Sequence, residues 1–213
     1  MRVTKKPKLV SFIGIDEHTD LERCISLSAQ FPIEWGFLYG TNPGSKPRHP
    51  SEEFIISASQ YLHKNCINQS LHLCGNKARK FQKGLAATWY EVFDRIQINL
   101  LDKDYDFEAL ATMQLVFSKT DFIIQHRTSS TPTHAHTPLF DTSGGRGIVV
   151  ESYPDFSAVP YMGFAGGINP DNVLAVNDKI SNSSYYLDME SGIRTDDWLD
   201  LDKCEKVCQQ LWP

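Results

Sequence analysis

Eight short apolar runs, most of them separated by helix-like segments, constrain this sequence more than any other feature. They are LVSFIGI, EWGFLYG, SLHLCG, RIQINL, DFIIQHR, TPLFDTS, VPYMGFAGG and YYLDME. A strand followed by a helix cannot return by a tight turn, so such strands pair in parallel through right-handed crossovers. Eight of these units in 213 residues predict an α/β fold: one closed (β/α)8 barrel near its minimum size. The alternative is an open doubly wound sheet, which usually carries its glycine-rich loop early in the chain. Here the glycine-rich turns follow the last three runs, where a barrel usually builds its phosphate site.

The segments between the runs carry helix signals. Asp20 is a candidate N-cap for LERCISLSAQF, and Pro50 or Ser51 opens EEFIISASQYLHK. ARKFQKGLAATWYEVF places Phe81, Leu85, Trp89 and Phe93 four apart, which predicts one apolar helical stripe. DFEALATMQLVFSK reads similarly. NPDNVLAVNDKI opens on Asn169-Pro170, a cap followed by a first-turn proline, and LDKCEKVCQQLW closes the chain. RTSSTPTHAHTP has no helical pattern and reads as a long loop. Pro154 and Pro160 leave room for at most a short helix in IVVESYPDFSAVP. With no linker and no repeat beyond this alternation, residues 1–213 read as one domain, with residues 1–8 a basic leader.

Charge and cysteine usage narrow the function classes. The net charge is −5, and no lysine-rich run follows the opening KKPK, so nucleic acid is not an expected partner. No apolar stretch approaches the roughly 18 residues of a membrane helix, so no membrane partner is expected. The N-terminus lacks the apolar core of a signal peptide. Five cysteines, an odd number, predict reduced thiols and a cytoplasmic location. Cys204 and Cys208 share one helix face and read as small core residues. His72 lies in LHLCG and His126 ends FIIQH, but EWGFLYG lacks the His-x-Asp that a metal site would need. His134 and His136 read as exposed loop residues or as part of a lid. Neither a metal nor a cofactor is expected.

The glycine turns carry the most chemistry. Gly144, Gly145 and Gly147 lie in SGGRG, Gly166 and Gly167 in AGGINPDN, and Ser191 and Gly192 in ESGIR. Glycine lets backbone approach a ligand closely, and consecutive amides can then point at one anion. Each turn alone could simply be tight. Three at successive strand ends, on one face of a barrel, predict a phosphate site, with the helix dipole after Asn169-Pro170 adding to it. Arg146 could reach the phosphate or a carboxylate, and Ser143 could add a hydroxyl.

These residues resemble the phosphoribosylanthranilate isomerase family. LFDTSGGRG is similar to the family's strand-six aspartate and Gly-Gly-Thr-Gly, FAGGINPDNV to Ala-Gly-Gly-Leu-x-Pro-x-Asn-Val, and YYLDMESGI to Val-Asp-x-x-Ser-Gly-Val. LDKCEKV stands where the family has Lys-Asp-x-x-Lys. Upstream, WGFLYGTNPGSKPRHPS resembles Gly-Phe-x-Phe and Ser-Pro-Arg, and RIQIN resembles Val-Gln-Leu-His. The resemblance implies a TIM barrel of the ribulose-phosphate-binding type, a place in tryptophan biosynthesis, and a monomer or homodimer. It also implies an Amadori rearrangement of a phosphorylated ribosylamine, an aldose–ketose isomerisation in which an acid opens the sugar ring and a base removes the C2 proton. By position the acid is Asp141, and Arg48 would meet the substrate's anthranilate carboxylate. An acid working at neutral pH needs a pKa raised by burial or by neighbouring negative charge.

The base departs from the pattern. Where the family carries Lys-Ile-Cys-Gly on strand one, this chain has Ser11-Phe12-Ile13-Gly14, so Ile13 replaces the cysteine. Asn99 replaces the strand-four histidine, and Arg146 the threonine of the glycine loop. Cys74 and Asp16, at the ends of the third and first runs, are the candidate substitutes. Two alternatives stand beside the isomerase: a divergent phosphate-binding barrel with a changed substrate or reaction, and a non-catalytic sugar-phosphate binder.

Overall fold

The computed structural model describes residues 5–142 and 147–213. All eight apolar runs are strands: β1 (Val10–Ile13), β2 (Ile33–Tyr39), β3 (Gln69–Cys74), β4 (Arg95–Asn99), β5 (Asp121–His126), β6 (Thr137–Phe140), β7 (Met162–Phe164) and β8 (Tyr185–Met189). They pair in parallel in chain order. β8 closes on β1, with Ser11 opposite Asp188, to give the expected closed barrel.

Alternate residues of each strand enter two environments. Phe12, Trp35, Phe37, Leu71, Ile96, Phe122, Phe164 and Leu187 pack against the helices in one large core. The inward set is mixed. Ile123, Leu139, Ala165 and Tyr186 form a small apolar cluster, while Ser11, Glu34, Ser70, His72, Arg95, Gln97, Gln125 and Asp188 are buried polar residues. Glu34 and Arg95 form an ion pair in this interior. Arg95 Nη2 donates to Glu34 Oε1 at 2.7 Å, Ser11 Oγ donates to the same oxygen at 2.5 Å, and the guanidinium lies 4.1 Å from the Tyr186 ring centre. Burial opposes ionisation of Glu34. The charge and hydrogen bonds of Arg95, with the Ser11 hydroxyl, outweigh it and hold the carboxyl below its ordinary range.

The caps explain where helices start. Asp20 accepts the Arg23 amide at 3.1 Å to open α1 (Leu21–Ser28), and Ser51 accepts Phe54 N at 3.2 Å to open α2 (Glu52–Lys64). Asp106 caps α4 (Phe107–Val116) and Asp200 caps α6 (Leu201–Leu211), which buries Cys204 and Cys208. The single helix expected over 78–93 is instead α3 (Asn76–Gln82) and a 3-10 turn, Thr88–Val92. Gly84, at φ +81°, ends the first piece. The helix expected from Asn169 begins later, as α5 (Val173–Lys179), because Asn169 and Asn172 bond the turn before it: Asn172 Oδ1 accepts Asn169 N at 2.9 Å. As expected, no regular helix follows β5 or β6 among the described residues.

One feature was not expected. After β8 the chain makes a hairpin, β9 (Arg194–Thr195) and β10 (Trp198–Leu199), turned by Asp196 and Asp197, both with positive φ.

Candidate active site

At the C-terminal end of the barrel lies a cavity of about 270 Å³. Its polar walls follow the two-residue period of strands. His72 and Cys74 come from β3, Gln97 and Asn99 from β4, Gln125 and Arg127 from β5, Leu139 and Asp141 from β6, and Asp188 and Glu190 from β8. Leu38 and Ala165 complete the apolar part.

Hydrogen bonds fix these side chains in two groups. On the β3–β4 wall, Gln97 Nε2 donates to Asn99 Oδ1 at 2.8 Å, and Asn99 Nδ2 donates to Cys74 Sγ at 3.3 Å. On the β5–β6 wall, Arg127 Nη2 donates to Gln125 Oε1 at 2.6 Å, which turns the Gln125 amide nitrogen toward Asp141, 2.6 Å from Oδ2. Asp188 Oδ2 and Gln97 Oε1 are buried and have no hydrogen-bond partner among the described residues. Buried polar atoms of this kind suit a polar ligand.

The electrostatics separate the titratable groups. Burial, then the charge of Asp141, raises the Asp188 carboxyl far above the carboxylate range. Burial also raises Glu190, against the opposing charges of Arg48 and Arg194. Burial pushes the Cys74 thiol up to about 11 and the His72 imidazole down to about 3, so both are neutral at physiological pH. Three carboxyl groups, Asp141, Asp188 and Glu190, thus face one cationic lining residue, Arg127, among the described residues.

The loops after β6, β7 and β8 converge on this cavity. Gly147, Gly166, Gly167, Ile168 and Ser191 all line it. The approach is close: a Cβ on Gly147 would strike Ser191 Oγ, one on Gly167 the Val149 backbone, and one on Gly192 the Ile168 carbonyl. Gly167 also has φ +62°, which disfavours any side chain there. Gly192 packs beneath the loops and does not line the cavity. Gly144, Gly145 and Arg146, together with Ser143, lie outside the described residues.

The other predicted residues divide. Asp141 and Cys74 line the cavity. Asp16 does not, which corrects the expectation that it faces the mouth. It is fully buried, accepts His18 N at 3.1 Å, Thr19 Oγ1 at 2.9 Å and Leu199 N at 2.8 Å, and lies 3.6 Å from Arg194 Nη1. Its carboxylate ties the β9–β10 hairpin to the end of β1. Ile13 is buried and does not line the cavity, its side chain packing over Gly36 in the barrel interior close to Ser70 and His72, and the Arg194 guanidinium packs over Gly14, donating to its carbonyl at 2.9 Å. Arg48 stands behind Glu190. Its Nη1 donates to Glu190 Oε1 at 3.0 Å, its Nε donates to Asp197 Oδ1 at 2.7 Å, and its Nη2 meets the same Asp197 oxygen. The sequence reading missed Gln125, Arg127, Asp188 and Glu190 as site residues. The signal was present in the shared inward phase of each strand's last polar residues. No group of three His, Cys, Asp or Glu side chains that could hold a metal occurs among the described residues.

The closed parallel barrel, with a polar cavity at its strand C-termini, defines a (β/α)8 barrel protein. The family described as N-(5'phosphoribosyl)anthranilate (PRA) isomerase matches residues 104–210, half of the chain, and the chain belongs to that family. Three solved structures are similar in fold. N-(5'-phosphoribosyl)anthranilate isomerase from Pyrococcus furiosus is 16% identical, with TM-score 0.62 and 95% of this chain and 98% of that chain covered. Phosphoribosyl anthranilate isomerase from Thermotoga maritima is 16% identical, with TM-score 0.65 and the same coverage. A phosphoribosyl anthranilate isomerase in complex with reduced 1-(o-carboxyphenylamino)-1-deoxyribulose 5-phosphate is 15% identical, with TM-score 0.62 and 96% and 98% coverage. No curated protein matches the sequence. No helix among the described residues is long and apolar enough to cross a membrane.

Proposed function

We propose that the chain isomerises a phosphorylated, amine-substituted ribose from aldose to ketose, with the phosphate held by Gly147, Gly166, Gly167 and Ser191. The observation that carries this reading is the meeting of three glycine-bearing loops and two carboxyl groups, Asp141 and Asp188, around one cavity. Backbone amides can bind a phosphate without a buried cation, which suits a cavity poor in positive charge.

The rearrangement needs one proton given to the ring oxygen and one taken from C2 of the opened iminium; the resulting enolamine then tautomerises to the ketose, losing its enol proton and gaining one at C1. Asp141 and Asp188 divide the first two transfers. Asp188, kept protonated by burial and by its neighbour's charge, gives a proton to the ring oxygen. Asp141, oriented by the Gln125 amide, takes the proton from C2. This exchanges the role that the family resemblance implies for Asp141. Cys74 suits the base role less well, because burial keeps its thiol protonated.

The test mixes the protein in D2O with ribose 5-phosphate and either anthranilate or aniline, and follows the C2–H signal by proton NMR. Catalysed loss of that signal with ketose formation is the expected result. No acceleration over the uncatalysed mixture for either amine overturns the isomerase reading. Binding of ribose 5-phosphate without exchange would favour the non-catalytic binder.

A further inference from the structure

We propose that Glu190, held in place by Arg48, makes the cavity select substrates whose amine substituent carries no carboxylate, the favoured group there being neutral or cationic and a hydrogen-bond donor. The inference rests on the sugar-phosphate reading of the cavity and names the class of substrate within it.

Arg48 is the cation nearest this part of the wall, and it is already committed. One edge of its guanidinium meets Asp197 and the remaining nitrogen donates to Glu190 at 3.0 Å. Arg48 thus divides its charge between two carboxylates, and Arg194, the other cation acting on Glu190, is engaged with Asp16 and with the carbonyls of Gly14 and Asp197. Glu190 lines the cavity and Arg48 does not, so a ligand meets the carboxylate first. Glu190 leaves the end of β8 toward the loop after β2, where Arg48 sits, while Ser191 turns to the glycine loops. Leu38, Cys74 and Asn99 line the cavity too and bring no cation. Arg127 is engaged with Gln125 on the β5 side.

A carboxylate placed against Glu190 therefore meets a like charge in a partly enclosed cavity, where screening is weaker than in bulk water. Recruiting Arg48 to a ligand carboxylate would leave the Glu190 side chain, 23% exposed, without its counter-ion. A hydroxyl, amide or ammonium group finds an acceptor in Glu190 at no such cost.

Calorimetric titration of the whole protein tests this with three probes: reduced 1-(o-carboxyphenylamino)-1-deoxyribulose 5-phosphate, its phenylamino counterpart without the carboxyl group, and inorganic phosphate. The expected result is roughly tenfold or tighter binding of the phenylamino probe, and a preference reduced to about threefold or less in Glu190→Gln. Equal or tighter binding of the carboxylated probe by the wild-type protein overturns the inference, whether or not the variant folds. Failure of all three probes to bind overturns the sugar-phosphate reading and the inference with it.

Discussion

The two sides of the barrel mouth are built in opposite ways from similar materials. At the β1–β2 side, charged groups are spent on one another. Arg194 covers Gly14 and bonds its carbonyl, Asp16 binds the hairpin amide of Leu199, and Arg48 clamps Asp197 at the hairpin turn. At the β6–β8 side, the loops carry glycine, approach within contact of each other, and leave carboxyl groups facing open space. The first arrangement closes a surface and the second keeps one available. Side chains with the same charges are structural where their partners are supplied in the chain. They are chemical candidates where some polar atoms, such as Asp188 Oδ2, lack a partner among the described residues.

Ile13 lies between the two sides. It stands where the family resemblance implies a strand-one cysteine, and its side chain packs over Gly36 in the barrel interior, with the hairpin arginine reaching across the next residue. Isoleucine offers no proton-accepting group there, and it does not line the cavity.

The largest effect that sharpens this contrast is on the open side. Asp141→Asn should lower kcat/KM for the best amine substrate by about 10²–10⁴ with little change in melting temperature. A loss of less than about tenfold would remove Asp141 from the chemistry. On the closed side the order reverses. Arg194→Ala leaves the buried Asp16 without its cation and should cost roughly 3–5 kcal/mol of stability in urea unfolding. A variant as stable as the wild type, or one that loses turnover at unchanged stability, would break the distinction between the two sides.

The smallest effect is pH-dependent and belongs to the open side. The folded-state pKa of His72 is pushed down to about 3, below its ordinary value, so its contribution is present above about pH 6.5 and is lost as pH falls toward 3. Asp188 is raised, so its contribution is present below about pH 3.9 and is lost as pH rises through the raised value. Urea midpoints of Asp188→Asn should therefore gain on the wild type between pH 4.5 and pH 8. A constant difference between the two proteins across that range would contradict the assignment.

Much of the fold was legible in the sequence, because parallel strands read as apolar runs and because Asp20 and Ser51 announce their helices. Gly84 shows the limit: the four-residue stripe from Phe81 to Phe93 continues across a residue whose backbone cannot stay helical. The site was legible where the backbone itself carries the signal, at Gly147, Gly166 and Gly167. It was hidden where partners are far apart in the chain. Asp16 looked available because Leu199 and Arg194 lie about 180 residues away, with separations of 183 for the hydrogen bond and 178 by position for the ion pair. Glu190 had no assigned role, because its partner Arg48 lies 142 residues away. Arg127 and Gln125 had no motif at all, only the inward phase of β5.

The central claim is that the loops after β6, β7 and β8 form one anion site while the β1–β2 side is closed. Titration of the 15N-labelled protein with inorganic phosphate, followed by amide chemical shifts, tests it directly. The account predicts saturable shifts of Gly147, Gly166, Gly167 and Ser191, with Ile13 and Gly14 unmoved. Saturable shifts centred on the β1–β2 side, or no saturable shift at the four loop amides, would contradict it.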